Sequence, residues 1–286
     1  MEKVPIRVQV VLYMGAVVLL AMFNMAGIHW VEKRCCSEGT GNAIVDDEGI
    51  CSLSGKQMLV EVPVMSILDR NVTKGMFKSS GKVAYLTFDD GPSENTDKIL
   101  DVLKEKGVKA TFFVVGKTGE AAKARYRRIV EEGHTLGLHS YSHKYEEIYA
   151  SLEGFQKDVL RLREYLYEVT GEEAWAYRFP GGSSNRVAKV SMKECIDFLN
   201  REGMVYFDWN ASSEDAVEVN ASCSVLNANI LKDALRYERP MILMHDLHEC
   251  GNTAEGLSEL IDRLLEEGYE IEAITRETKP VWHNRN

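Results

Sequence analysis

Beyond residue 80 the chain alternates between short apolar runs and longer stretches whose apolar side chains recur every three or four positions. Val83–Phe88 is the first apolar run. A run of that length bounded by turn residues reads as a buried strand. Thr96–Lys106 carries Ile99, Leu100 and Leu103 at helical spacing and stops at Gly107, a helix with a clear end signal. The alternation continues. Strands are predicted at Ala110–Val115, Thr135–Leu138, Ala174–Phe179, Met204–Trp209, Pro240–Met244 and Tyr269–Ile274. Helices are predicted at Glu120–Glu132, Leu152–Val169, Val190–Arg201, Ser224–Tyr237 and Ala254–Glu267. Strands that alternate with helices imply a parallel sheet, with helices outside and right-handed crossovers. Seven such units can close into a barrel, which builds its site at the C-terminal ends of the strands.

The first 80 residues follow another pattern. From Val8 to Trp30 the only strongly polar side chains are Gln9, Asn24 and His29. A membrane-spanning helix needs roughly 20 apolar residues. This run reads as an uncleaved single-pass anchor (residues 1–30), in preference to a cleaved signal, whose apolar core is shorter. The flanking charges, Lys3 and Arg7 before and Lys33 and Arg34 after, give little bias in orientation. Residues 31–80 show no helical period and read as a partly extended stalk. The domain then occupies 81–279, with a short tail at 280–286.

Charge and cysteines narrow the picture. The net charge is −10, and residues 1–80 balance, with eight basic and eight acidic side chains. The domain therefore carries the whole excess. An acidic domain argues against a nucleic-acid partner, which requires a basic footprint, and suits a neutral polymer such as a glycan. Cys35, Cys36 and Cys51 follow the anchor; Cys195, Cys223 and Cys250 lie in the domain. No C-x-x-C pair exists, so a cysteine zinc knuckle is unsupported. A Cys51 bridge to Cys35 or Cys36 and three free thiols both remain open.

The polar residues with chemical potential fall at predicted strand ends. Asp89 and Asp90 follow the first strand, and neighbours there should point apart. One can face a metal while the other faces a reacting water. His139 and His143 lie after the third strand, four apart, and would share a face if the segment turned helically. A carboxylate with two imidazoles leaves a position open on a catalytic metal, and the spare carboxylate can act as base. Arg178 ends the fourth strand before Phe179-Pro180-Gly181-Gly182. It can hold a carboxylate bidentately, and a glycine N–H there can receive an oxyanion. Trp209 ends the fifth strand, with Asp215 beyond. His245 follows the sixth and can protonate a leaving amine. A second ligand set of His245, His248 and Cys250 is a weaker alternative. His134 reads as a packing residue.

These residues resemble the NodB-homology polysaccharide deacetylases, carbohydrate esterase family four. Thr87-Phe88-Asp89-Asp90-Gly91-Pro92 is similar to the family's first motif and His139-Ser140-Tyr141-Ser142-His143 to its second. Arg178-Phe179-Pro180-Gly181 resembles the third, and Leu243-Met244-His245-Asp246 the fifth. The resemblance implies a distorted (β/α)7 barrel that removes acetyl groups from amino-sugar polymers. It implies Asp90, His139 and His143 as ligands of a divalent metal, zinc first, with cobalt or another ion as alternatives. It makes Asp89 the base, Arg178 its orienter, Gly181 N–H an oxyanion donor and His245 the acid. Two departures stand out. Gly181 replaces a frequent tyrosine, which removes a groove wall. The fourth motif keeps only Asp215 and has Ala216 in place of tryptophan. Asp215 is assigned to orient His245, with Asp208 as the lesser candidate, and Trp209 to the substrate side. Anchor and chemistry together imply an extracellular domain at the cell membrane acting on peptidoglycan. The alternatives are another polymer (chitin oligomers or poly-N-acetylglucosamine), a small-molecule amide, or a non-catalytic wall-binding module.

Overall fold

Strand β3 (Val83–Asp89) is buried along its whole length, as an unbroken apolar run in the middle of a parallel sheet must be. The computed structural model describes residues 81–283 and the backbone of two short antiparallel strands, β1 (Ala43–Val45) and β2 (Cys51–Leu53). The chain divides into two compact units, Met1–Lys78 and Ser79–Asn286. The apolar run Val8–Trp30, Cys35, Cys36 and the Cys51 side chain lie outside the described residues, as does most of the expected stalk. Among the described residues no helix is long and apolar enough to cross a membrane.

In the second unit β3 is joined by β4 (Thr111–Val115), β5 (Thr135–Ser140), β6 (Ala176–Tyr177), β7 (Val205–Tyr206), β8 (Ala211–Ser212), β9 (Met241–His245) and β10 (Glu270–Ile271). All pairings among these strands are parallel. The order is β7-β6-β5-β4-β3-β9-β8, and β10 pairs with the start of β3. The two edge strands, β7 and β8, are consecutive in the chain, so the sheet curls round upon itself. The observed architecture is thus a curled, parallel α/β half-barrel, the coarse form of the expected (β/α)7 barrel.

The helices are α1 (Glu94–Lys106), α2 (Glu120–Glu131), α3 (Tyr145–Ile148), α4 (Leu152–Thr170), α5 (Met192–Arg201), α6 (Cys223–Ala234) and α7 (Gly251–Glu266). Ser93 caps α1 in a reciprocal box with Thr96: Asn95 N–H donates to Ser93 Oγ at 3.0 Å and Ser93 N–H to Thr96 Oγ1 at 2.7 Å. Loss of such a cap typically costs about 1 kcal/mol. The buried faces of α1 (Ile99, Leu100, Leu103) and α7 (Leu257, Leu260, Ile261, Leu264) join Leu86, Phe88 and Phe112 in one core.

Several expected elements differ; the strands predicted at Ala174–Phe179 and Tyr269–Ile274 shorten to β6 and β10. Of the strand predicted at Met204–Trp209 only Val205–Tyr206 forms; the chain then bends at 207–210, and β8 follows at Ala211–Ser212. The bend arises because Arg178 draws the carbonyls of Phe207 and Asp208 onto its guanidinium at 2.9 and 3.1 Å. Among the described residues neither carbonyl accepts from a neighbouring strand. The tail is also part of the unit: Asp208 N–H donates to Val281 O at 2.9 Å, and Trp282 Nε1–H to Tyr206 O at 2.9 Å. Residues 281–283 therefore pack beside β7 rather than trailing away.

Candidate functional site

The register of the sheet gathers the strand-end residues. Asp89 of β3 is in register with His245 of β9. Leu138 pairs with Tyr177, which brings His139 and Arg178 to the same level one residue on. Asp89 and Asp90 diverge, as adjacent strand-end residues should. Asp89 faces Arg178, whose Nη1 donates to its Oδ1 at 2.9 Å. Asp90 Oδ1 lies 3.4 Å from His139 Nε2 and 3.1 Å from His143 Nε2.

The histidines do not meet through a helix. His139 ends in β5, and the next residues turn sharply, with His143 at φ 53°. Asp158 of α4 builds that turn. It accepts from Ser140 Oγ at 2.7 Å, Tyr141 N–H at 2.8 Å and Ser142 N–H at 2.9 Å. Ser140 Oγ in turn accepts from His143 N–H at 2.8 Å. Asp90 also has a left-handed backbone, φ 71°. Asp and His are among the residues that tolerate this region best, and backbone held there tends to mark functional sites.

Asp90, His139 and His143 each offer one ligand atom, and these atoms lie within 4.8 Å of one another. Asp90 Oδ1 is buried without a hydrogen-bond partner, a costly state unless a cation fills it. His139 Nδ1–H donates to Arg178 O at 2.8 Å. That bond fixes the tautomer that leaves Nε2 as a ligand, the usual supporting arrangement for a metal-bound imidazole. Burial pushes His139 down to about 3, so its ring is neutral near pH 7. The set fits a divalent cation. The weaker alternative does not assemble: His248 pairs with Glu94, and Cys250 Sγ–H points to Asp215 O at 3.8 Å.

Arg178 is fully buried and spends its donors on four partners: Asp89, Thr87 Oγ1 at 2.6 Å, and the Phe207 and Asp208 carbonyls. It makes a single bond to Asp89, not the expected bidentate fork. Phe113 lies 4.3 Å under the guanidinium carbon and Trp209 5.8 Å away. Burial raises the Asp89 carboxyl above its ordinary value, and Arg178 offsets only part of that rise.

On the other side of the register, His245 Nδ1–H donates to Asp215 Oδ1 at 2.7 Å. His245 N–H and Thr253 Oγ1–H donate to Asp215 Oδ2 at 2.9 and 2.7 Å. Burial works to raise the Asp215 carboxyl, but these bonds and the His245 charge outweigh it and hold it below its ordinary value. Burial likewise works to lower His245, yet Asp215, then Asp89 and Asp90, raise it. Asp208, the lesser candidate, does not touch His245. It accepts from Ser183 N–H at 2.8 Å, Ser183 Oγ–H at 2.6 Å and His283 N–H at 2.8 Å. It holds the Gly181–Ser183 loop in place.

Gly181 and Gly182 follow at φ 74° and 77°. The Trp209 ring stands 3.0 Å from where a Cβ on Gly182 would be, and His283 meets that ring edge-on at 4.8 Å. Asp158, Thr253 and His283 had no motif to reveal them. His134 accepts from Ala110 N–H at 3.1 Å through Nδ1, the structural part its position suggested.

The polysaccharide deacetylase family model matches residues 78–195, which hold the first three motifs. YheN of Bacillus subtilis (strain 168), which carries a polysaccharide deacetylase name, is 35% identical over 203 residues, 70% of each chain. A peptidoglycan-N-acetylglucosamine deacetylase of Bacillus cereus is 28% identical over 275 residues, 94% of this chain and 95% of its own. Among solved structures, the catalytic domain of a peptidoglycan N-acetylglucosamine deacetylase from Eubacterium rectale aligns with TM-score 0.67 at 34% identity, over 72% of this chain and 94% of that one. Likeness over nearly a whole solved catalytic domain, on a curled parallel sheet with these strand-end groups, places the chain in the polysaccharide deacetylase family, carbohydrate esterase family four, hydrolases that remove N-acetyl groups.

Proposed function

We propose that this protein is a metal-dependent, membrane-anchored deacetylase that acts outside the cell on N-acetylated sugars of peptidoglycan. One observation carries the chemistry. A three-ligand cluster stands beside a second carboxylate, Asp89, which is separately held by Arg178 and in register with His245. Asp90, His139 and His143 would hold the cation. A bound divalent ion, with zinc best suited to this donor set, supplies Lewis acidity to the acetyl carbonyl and lowers the pKa of water.

The protein's own groups do the rest. Asp89 takes a proton from the attacking water. Arg178 keeps the Asp89 carboxylate aimed while its other donors are fixed on Thr87 Oγ1 and the Phe207 and Asp208 carbonyls. Among the described residues Gly181 N–H has no acceptor, so it is available to the developing oxyanion. Such a donor is typically worth about 3–4 kcal/mol. The C–N bond then breaks, and His245 gives the departing nitrogen a proton from Nε2 while Asp215 steadies Nδ1–H. The products are acetate and a free amine on the sugar.

Peptidoglycan is favoured over other glycans by the named activities of two relatives. The anchor reading is supported by the apolar run Val8–Trp30, and an external location by the position of such a substrate. Acetate release from peptidoglycan, chitin oligomers and exported poly-N-acetylglucosamine tests the reading. The highest kcat/KM is expected on peptidoglycan; release only from another polymer replaces the substrate, and release from none removes the activity. Fractionation of cells tests the anchor, which fails if the full chain remains in the soluble fraction.

A further inference from the structure

Gly181 supplies backbone and no wall. Its φ of 74° lies where side chains are strained, so this turn excludes a larger residue cheaply. The space beside it is nonetheless filled. A Cβ built on Gly181 would come within 3.0 Å of Tyr145 Oη and 3.4 Å of Tyr145 Cε1. Tyr145 opens α3, two residues after His143. Its ring meets His143 edge-on at 5.8 Å and Tyr149 at 5.8 Å. Tyr149 Oη–H donates to Pro180 O at 2.9 Å, so the pair of tyrosines braces the turn that carries Gly181.

The hydroxyl is the informative part. Tyr126, Tyr149, Tyr165 and Tyr269 each donate to a backbone carbonyl. Tyr145 is half-buried, and among the described residues its hydroxyl has no partner. A tyrosine is a donor at neutral pH. An aromatic ring positioned by edge-on contacts with His143 and Tyr149, with a spare O–H beside an oxyanion donor, is suited to a ligand with an apolar face and polar oxygens. An N-acetylated sugar is such a ligand.

We propose that Tyr145 is a substrate-contacting residue: its ring walls the subsite for the N-acetyl sugar beside Gly181, and its hydroxyl donates to an oxygen of that sugar. The assignment rests on the deacetylase reading above. It restores, from a different loop, the wall that glycine at position 181 removes. The His139–His143 segment then has two duties, ligands at its start and a sugar contact at its end.

The test is steady-state kinetics on N-acetylglucosamine oligomers for wild type, Tyr145→Phe and Tyr145→Ala, with bound metal measured on the same preparations by mass spectrometry. Tyr145→Phe keeps the ring, and is expected to raise KM about fivefold with kcat within about twofold, the size of one lost hydrogen bond. Tyr145→Ala is expected to lower kcat/KM by roughly fiftyfold. Both variants should retain wild-type metal content. An active wild type whose two variants keep its KM overturns this inference alone. Losses that track a loss of bound metal also overturn it, because Tyr145 then merely props His143. A wild type that releases no acetate from any glycan overturns the deacetylase reading as well.

Discussion

Two buried carboxylates in this site have basic partners at nearly the same distance and shift in opposite directions. Asp89 is 2.9 Å from Arg178 and its carboxyl is raised; Asp215 is 2.7 Å from His245 and is lowered. Burial is the largest influence on both. The difference lies in how many hydrogen bonds oppose it. Arg178 divides its donors among Asp89, Thr87 and two carbonyls, so Asp89 receives one bond. Asp215 receives three, from the His245 ring, the His245 backbone and Thr253. A carboxylate accepting several bonds stays ionised, and one left short of donors is ready to take a proton. Environments that push titratable groups apart sort them into roles, which supports the proposed parts of Asp215 as a fixed anion and Asp89 as the proton acceptor.

The largest effect expected is from His139→Ala, which removes the one buried member of the proposed ligand cluster. Bound metal should fall below about a tenth of wild type, with activity lost; full occupancy by mass spectrometry would break the ligand set. Asp89→Asn comes next. It should lower kcat by about 10²–10⁴, the usual worth of general base catalysis, with metal retained. A near wild-type rate would remove the proton acceptor from the comparison.

Asp215→Asn should lower the rate at least about tenfold and also move the pH profile. In the proposed mechanism His245 must be protonated to serve the leaving nitrogen; burial works to lower its pKa, but Asp215 chiefly raises it. Activity is therefore present below that raised value and lost as pH climbs through it. Without the Asp215 charge, the alkaline limb should move to lower pH. An unmoved limb would detach His245 from that limb.

The smallest effect concerns a third carboxylate. Asp246 accepts from two hydroxyls, Ser93 Oγ–H at 2.6 Å and Thr96 Oγ1–H, and burial outweighs these and the Ser93 backbone to push it up to about 6. Its folded pKa exceeds the unfolded value of about 3.9, so its contribution is fully present below about pH 4. That contribution fades as pH rises to 6, by roughly 2–3 kcal/mol. Denaturant unfolding of Asp246→Asn should show a flatter dependence across this window. An unchanged slope would remove Asp246 from the series.

The strands and helices were legible because burial imposes its period directly on sequence. Val83–Phe88 could face neither side to water, and the Ile99–Leu103 spacing suits one face of a helix. The turn at 140–143 was not legible. The four-residue spacing of His139 and His143 suggests a helical face, but Asp158, on a helix 15 residues past His143 in the sequence, bends the segment. The bend at 207–210 had the same kind of cause: a distant guanidinium competing for carbonyls. Where a backbone hydrogen bond is taken by a side chain from elsewhere in the chain, local pattern is silent.

Sequence alone determined the alternation of elements, the acidic excess and the identities of Asp89, Asp90, His139, Arg178 and His245 at strand ends, since periodicity and strand-end chemistry are local. Tertiary structure decided which carboxylate meets which base, that Asp215 rather than Asp208 holds His245, and that Tyr145 fills the space beside Gly181. Those outcomes depend on sheet register and on competition among donors. Both are set only when residues far apart in the chain share one dry space.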